Sequence, residues 1–162
     1  MMLEFALSGL RSGLRGRSFH AVFVLGVLLI GVAYLSGFFS PRQPQTVALD
    51  VGFSGVRFSL ILLNLFWVQE LVAREIDRKI ILFSLAYPVS RASFLAGRFA
   101  AVLILSILAA IVLGLLLLLA VAMGGGYGQE FAPVLGVPFW ATVAGFVLDA
   151  ALVGAFSLCI AT

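Results

Sequence analysis

The feature that most constrains the fold of this chain is an uncharged apolar stretch of 24 residues, Ala100–Met123. A helix of about 20 apolar residues crosses the hydrocarbon core of a bilayer. Three further apolar stretches follow the same pattern, and 63% of the chain is hydrophobic whereas 10% is charged. A soluble protein could not shield that much apolar surface from water. We therefore predict an all-α polytopic membrane protein, a single transmembrane domain with transmembrane helices at 19–39, 58–73, 100–123 and 140–162.

The basic N-terminal residues 2–17 have the pattern of a short amphipathic helix. Four leucines recur at spacings of four, three and four, and a polar set follows the same spacings one residue later. Such a helix suits the membrane interface, with its arginines toward the lipid headgroups. We expect an N-terminal elbow helix here; a solvated basic tail is the alternative. A cleaved signal peptide is the competing interpretation of the elbow and first span, although no A-x-A site follows the apolar run.

Two segments rich in proline and glycine separate the spans. Residues 40–57 contain Pro41, Pro44, Gly52 and Gly55, and residues 124–139 contain three consecutive glycines and two prolines. These residues are typical of turns and loops. We expect both segments to be loops on one side of the membrane.

The basic residues predict the orientation. Eight of the ten Lys and Arg residues lie in the N-terminal segment or between the second and third spans, whereas Arg42 and Arg57 fall in the 40–57 segment. Positive residues accumulate on the cytoplasmic side of membrane proteins. We therefore expect a cytoplasmic N-terminus and cytoplasmic residues 74–98.

No set of residues in the chain indicates catalysis. With one His and one Cys, no metal-ligand set or Ser/His/Asp arrangement is available, and we expect neither an enzyme nor a bound metal or cofactor. Polar residues within the predicted spans need partners, because lipid solvates them poorly. For Asn64 we favour helix packing over a ligand site, and for Glu70 an ion pair with Arg74 at headgroup level. For Asp149, a pathway or interhelical role and packing of its helix beside missing segments remain open.

The segment between the second and third spans, residues 74–98, is more complex than a simple tether. We call it the coupling segment. It begins with the charged run 75–79, continues with the apolar run 80–86, and is interrupted at Pro88, which disfavours helix in the residue before it. Ser90 suits the N-cap of the next helix. A short element fixed in this way could transmit force from a soluble partner; an interfacial turn without a partner is the alternative.

Three motifs in the coupling segment resemble those of ABC-2 type transporter permeases. They are EIDRK at 75–79, an acidic helix end; LAYPVSR at 85–91, similar to the family pattern L-x-x-P-[IV]-S-R; and FLAGR at 94–98, similar to [FY]-L-x-G-[KR]. The placement between the second and third helices and the N-terminal elbow also match. The resemblance covers most of residues 1–123.

The resemblance implies an ATP-driven transporter subunit of the bacterial inner membrane, with export favoured. Such permeases usually have six helices, so the last two are expected to be missing here. They dimerise, as homo- or heterodimers, and bind a separate cytoplasmic ATP-binding cassette subunit, since this chain has no GxxxxGK[ST] motif. Membrane lipids are a further expected partner, and no nucleic acid is expected. The residues expected to contact the ATPase, or to fix the segment that does, are Glu75, Asp77, Arg78, Lys79, Tyr87, Pro88, Ser90 and Arg91. The alternative is a non-transporting scaffold subunit or a truncated remnant.

Overall fold

The computed structural model describes residues 16–40, 42–77, 91–123 and 133–161, and it contains four long helices. They are α1 (Arg17–Phe38), α2 (Pro44–Asp77), α3 (Arg91–Met123) and α4 (Val137–Ala161). Each contains a stretch long and apolar enough to cross a membrane: Phe19–Phe38, Pro44–Glu70, Phe99–Met123 and Val137–Ile160. The chain is an all-α polytopic membrane protein, which confirms the predicted fold class. The predicted elbow, residues 2–17, lies outside the described residues except for its last two positions.

The prediction of a loop at 40–57 is wrong for residues 44–57, which are the beginning of α2. Pro44 is the first residue of the helix. Backbone N–H groups in the first turn have no intrahelical acceptor, so a proline there costs no helical hydrogen bond. Gly52 and Gly55 lie in helix-packing contacts. A Cβ on Gly55 would stand 3.0 Å from the Cβ of Leu29 in α1, and one on Gly52 would overlap the Leu117 side chain of α3. These glycines therefore allow close helix approach and do not mark a turn.

The fourth helix also begins earlier than predicted. Val137 is its first residue, and the backbone N–H of Phe139 donates to the carbonyl of Gly136 at 3.2 Å. Pro138 lies in the first turn, which tolerates proline because the amides there lack helical acceptors. Residues 137–139, assigned to a loop by the sequence, are thus part of α4.

The helices α2 and α3 form the centre of the packed body. Half of the apolar window of α2 and 44% of that of α3 is buried, against 28% for α1 and 22% for α4. The buried positions of α3 recur every three to four residues and pack against the other three helices: Leu113 lies near Gly26 of α1, Leu117 near Gly52 of α2 and Val102 near Gly154 of α4. They include Val102, Leu105, Ala109, Leu113 and Leu117. Because α4 is the least covered helix, most of its surface faces away from the other three.

Candidate functional site

An ion pair connects α2 and α4. The Nη2 atom of Arg57 lies 2.8 Å from the Oδ2 atom of Asp149. Phe53, one turn before Arg57, packs against Phe146 and Phe139 of α4, with ring centroids 5.7 and 5.2 Å apart. These aromatic contacts hold the two helices close enough for the side chains of Arg57 and Asp149 to meet.

Both members of the pair lie at the middle of their transmembrane stretches. Arg57 is the central residue of Pro44–Glu70, and Asp149 lies within one residue of the centre of Val137–Ile160. The contact between Gly55 and Leu29 supports this depth, because Leu29 lies at the middle of Phe19–Phe38. The pair therefore lies at the middle of the apolar stretches, and an isolated charge at the centre of a bilayer is costly by several kcal/mol.

The pair is not enclosed by the four helices. The side chains of Arg57 and Asp149 are 55% and 41% exposed. On α2, the exposed residues Asp50 and Ser54 lie on the same side as Arg57, two turns and one turn before it. On α4, half-exposed Thr142 lies two turns before Asp149. We call this set, Asp50, Ser54, Arg57, Thr142 and Asp149, the polar face.

The polar face extends from the ion pair toward the α1–α2 connection. In the other direction, the neighbouring exposed or partly exposed residues are mostly apolar: Ile61 and Leu65 on α2, Val153 and Phe156 on α4. The polar residues on these sides are Asn64, which is buried, and Ser157. The hydroxyl groups of the polar face are locally satisfied, since Ser54 donates to the Asp50 carbonyl at 3.0 Å and Thr142 to the Pro138 carbonyl at 2.9 Å. The charged groups of the polar face are therefore the ones that still need solvation from their surroundings.

A second polar contact lies inside the body, between α2 and α3. The Asn64 amide nitrogen donates to the carbonyl of Leu60 at 2.9 Å and to the Ser106 hydroxyl at 3.0 Å. The Ser106 hydroxyl donates in turn to the Val102 carbonyl at 2.8 Å. Both side chains are fully buried. This arrangement favours the helix-packing interpretation of Asn64 over a ligand site.

The remaining candidates lie toward the coupling segment. Glu70 is half-buried and ends the apolar stretch of α2. Glu75 and Asp77 lie in the last turns of α2, and Arg91 is the first residue of α3. Their side chains lie outside the described part of the structure, as does that of Arg74, the predicted partner of Glu70. Arg78, Lys79, Tyr87, Pro88 and Ser90 lie outside the described residues altogether.

Sequence reasoning missed Arg57 as a site residue. Its assignment to a loop removed it from the transmembrane candidates. A signal was present, because Arg57 is the one charged residue in the stretch 51–69. A basic residue in one such stretch and an acidic residue in another are the usual components of an intramembrane pair.

Within the described ranges, no group of three or more His, Cys, Asp and Glu side chains gathers that could hold a metal ion. A cavity between α1, α2 and α3, lined by Tyr34, Gly37 and Ala120 among others, has a volume of about 20 Å³, room for about one water molecule. No protein-family model matches the chain, and no curated protein matches it at significant similarity.

Proposed function

We propose that this chain is a membrane-spanning subunit of an ATP-driven transporter of the ABC-2 type. In this proposal a separate cytoplasmic ATPase binds the coupling segment, and its motion reaches the transmembrane helices through α2 and α3. The N-terminus is cytoplasmic, the membrane is a bacterial inner membrane, and the direction of transport is export. The second subunit of the dimer is another permease chain, identical or related.

The observation that carries this proposal is a charged extension of two helices at one end of the molecule. At the ends nearest the α1–α2 and α3–α4 connections, the first turns of α2 and α4 and the last turns of α1 and α3 contain no charged residue. At the other end the helices continue through charged residues: α2 runs to Asp77 and includes Glu70, Arg74 and Glu75, and α3 begins at Arg91 and includes Arg98. At 1.5 Å per residue, each of these charged helix ends, 70–77 and 91–98, is about 10–12 Å long.

In this proposal the charged helix ends lie outside the hydrocarbon core and lead into the coupling segment. The two helices are consecutive and antiparallel, and Asn64 and Ser106 join them by a buried hydrogen bond within the membrane. A force applied at the charged helix ends would therefore act on the central helix pair of the body. A tether without a partner does not require such an extension, which is why the charged helix ends support a docking role.

Charge reversal in the coupling segment tests this proposal. The variants Asp77→Arg and Arg78→Glu are compared with Arg42→Glu, a control at the opposite end of the molecule, where Arg42 is exposed. We expect each coupling-segment variant to weaken co-purification of the ATP-binding subunit about tenfold or more, the effect of losing about 1.4 kcal/mol. ATP hydrolysis stimulated by the chain falls with it, and Arg42→Glu changes neither.

Two other results would count against the proposal. If both reversals leave co-purification and stimulated hydrolysis at the wild-type level, the coupling segment is not the ATPase contact. If an ATPase binds but the wild-type chain never stimulates it, the scaffold alternative replaces transport.

A further inference from the structure

We propose that the polar face borders a water-filled vestibule within the membrane, which opens at the α1–α2 connection and ends at the Arg57–Asp149 pair. Ile61, Leu65, Val153 and Phe156 close it toward the coupling-segment end. The assignment of this vestibule as the beginning of a solute path rests on the proposed function. Its hydration does not, because it follows from the placement of charges alone.

Lipid hydrocarbon would solvate the polar face poorly. Arg57 and Asp149 lie at mid-span, with about half of each side chain uncovered by the four helices. Ionised side chains at this depth face a bundle interior or water, since the hydrocarbon cannot replace their hydration. Exposed positions at the same depth elsewhere on the body are apolar, such as Leu28 on α1 and Ile111 on α3. Those surfaces, and not the polar face, are suited to lipid.

Water fits the polar face better than a packed protein surface does. The face holds two carboxylates, Asp50 and Asp149, and one guanidinium, Arg57, so its formal charge is unbalanced. A dry protein contact would remove all three from water, and that desolvation exceeds the gain from the pair unless further partners satisfy them. Water solvates the extra carboxylate without a matching cation.

The direction of the vestibule follows from the order of exposed residues along α2. The exposed polar residues Asp50 and Ser54 precede Arg57, and the apolar residues Ile61 and Leu65 follow it, whereas α4 has one polar residue in each direction, Thr142 and Ser157. A continuous polar channel would need exposed polar residues on α2 in both directions. The pattern on α2 is therefore that of a half-depth vestibule with an apolar closure.

Cysteine accessibility tests this inference in the full chain in native membranes. The background carries Cys159→Ser, because Cys159 is an exposed native thiol. Ser54→Cys and Gly145→Cys place thiols on or beside the polar face; a Cβ at Gly145 meets no atom within 4 Å, so the substitution fits. Gln43→Cys, exposed in the α1–α2 connection, is the positive control. Leu28→Cys and Ile111→Cys are exposed controls at matched depth.

The probe is a membrane-impermeant cationic methanethiosulfonate added from the Gln43 side. We expect Ser54→Cys and Gly145→Cys to react at least about ten times faster than Leu28→Cys and Ile111→Cys, because the reagent reaches hydrated thiolates only. Leu65→Cys and Phe156→Cys, on the closed half, should react as slowly as the lipid-facing controls.

Two outcomes would overturn the inference. If Gln43→Cys reacts while Ser54→Cys and Gly145→Cys are as slow as Leu28→Cys, lipid or protein covers the polar face. If Leu65→Cys reacts as fast as Ser54→Cys, the apolar closure is wrong. Neither outcome bears on ATPase binding, so the vestibule and the proposed function can fail separately.

Discussion

At the scale of single residues, Arg57 and Asp149 bring opposite charges to the middle of the apolar stretches of α2 and α4. The Nη2 atom of Arg57 lies 2.8 Å from the Oδ2 atom of Asp149. Water beside the pair would weaken their attraction, since a higher effective dielectric lowers the Coulomb energy. We therefore expect a measurable but modest coupling between them.

A double-mutant cycle measures this coupling. Arg57→Asp and Asp149→Arg should each lower the thermal stability of the purified protein, because each leaves two like charges facing one another. The double reversal restores the pair and should recover a coupling energy of about 1 kcal/mol or more. The same cycle with Arg42→Asp in place of Arg57→Asp should be additive. Additive effects in the Arg57–Asp149 cycle would show that the pair does not form.

The sequence identified some of these residues but not their partners. Asp149 and Asn64 are polar residues in apolar stretches of the sequence. They can be recognised as candidates because lipid solvates polar groups poorly. Arg57 and Ser106 gain their importance from contacts with residues far along the chain. Such pairing depends on how the helices pack, which a single sequence does not specify.

At the scale of helices, glycine positions decide how closely neighbours approach. A Cβ on Gly154 of α4 would lie 3.1 Å from Asn64 Oδ1 and 3.5 Å from Val102 Cγ1. Gly154 therefore lets α4 lie directly over the Asn64–Ser106 contact. Gly145, on the same helix, faces open space.

Valine at these two glycines should have different effects. Gly154→Val inserts a branched side chain into a filled contact and should lower the free energy of unfolding by about 1–3 kcal/mol. Gly145→Val is the matched control and should change it by less than about 0.5 kcal/mol. Thermal unfolding in detergent micelles measures both, and equal destabilisation would mean that α4 does not dock at Gly154.

Helix boundaries were the less predictable part of the fold. Hydropathy located four apolar helices, because the bilayer imposes the same length on each. The beginning of α2 was missed because Pro44, Gly52 and Gly55 are turn residues in isolation. In the structure Pro44 is the first residue of α2, a position that accepts proline, and the two glycines lie in helix contacts. Only the packed neighbours distinguish these roles from those of turn residues.

At the scale of the whole molecule, the protein has two different ends. One end carries the charged helix ends of α2 and α3 with the coupling segment, and the other carries the α1–α2 connection and the opening of the proposed vestibule. The proposed orientation puts the first end in the cytoplasm, as the positive residues favour. Reassigning Arg57 from a loop to the membrane leaves Arg42 as the one basic residue at the second end, which strengthens the bias.

Thiol labelling of intact cells tests this orientation. In the Cys159→Ser background, Gln43→Cys should react with an impermeant maleimide added outside. Lys79→Cys should react only after the membrane is permeabilised. The reverse pattern would place the coupling segment outside the cell and remove it from any cytoplasmic ATPase.

The most direct test of the central claim is photo-crosslinking from the coupling segment in native membranes. A photoreactive amino acid replaces Lys79, and mass spectrometry identifies what it captures. The account predicts a cytoplasmic protein containing GxxxxGK[ST], captured from position 79 but not from position 42, with the adduct reduced by Asp77→Arg. Capture of lipids alone, or of proteins without a nucleotide-binding motif, would contradict the assignment of this chain as a transporter subunit.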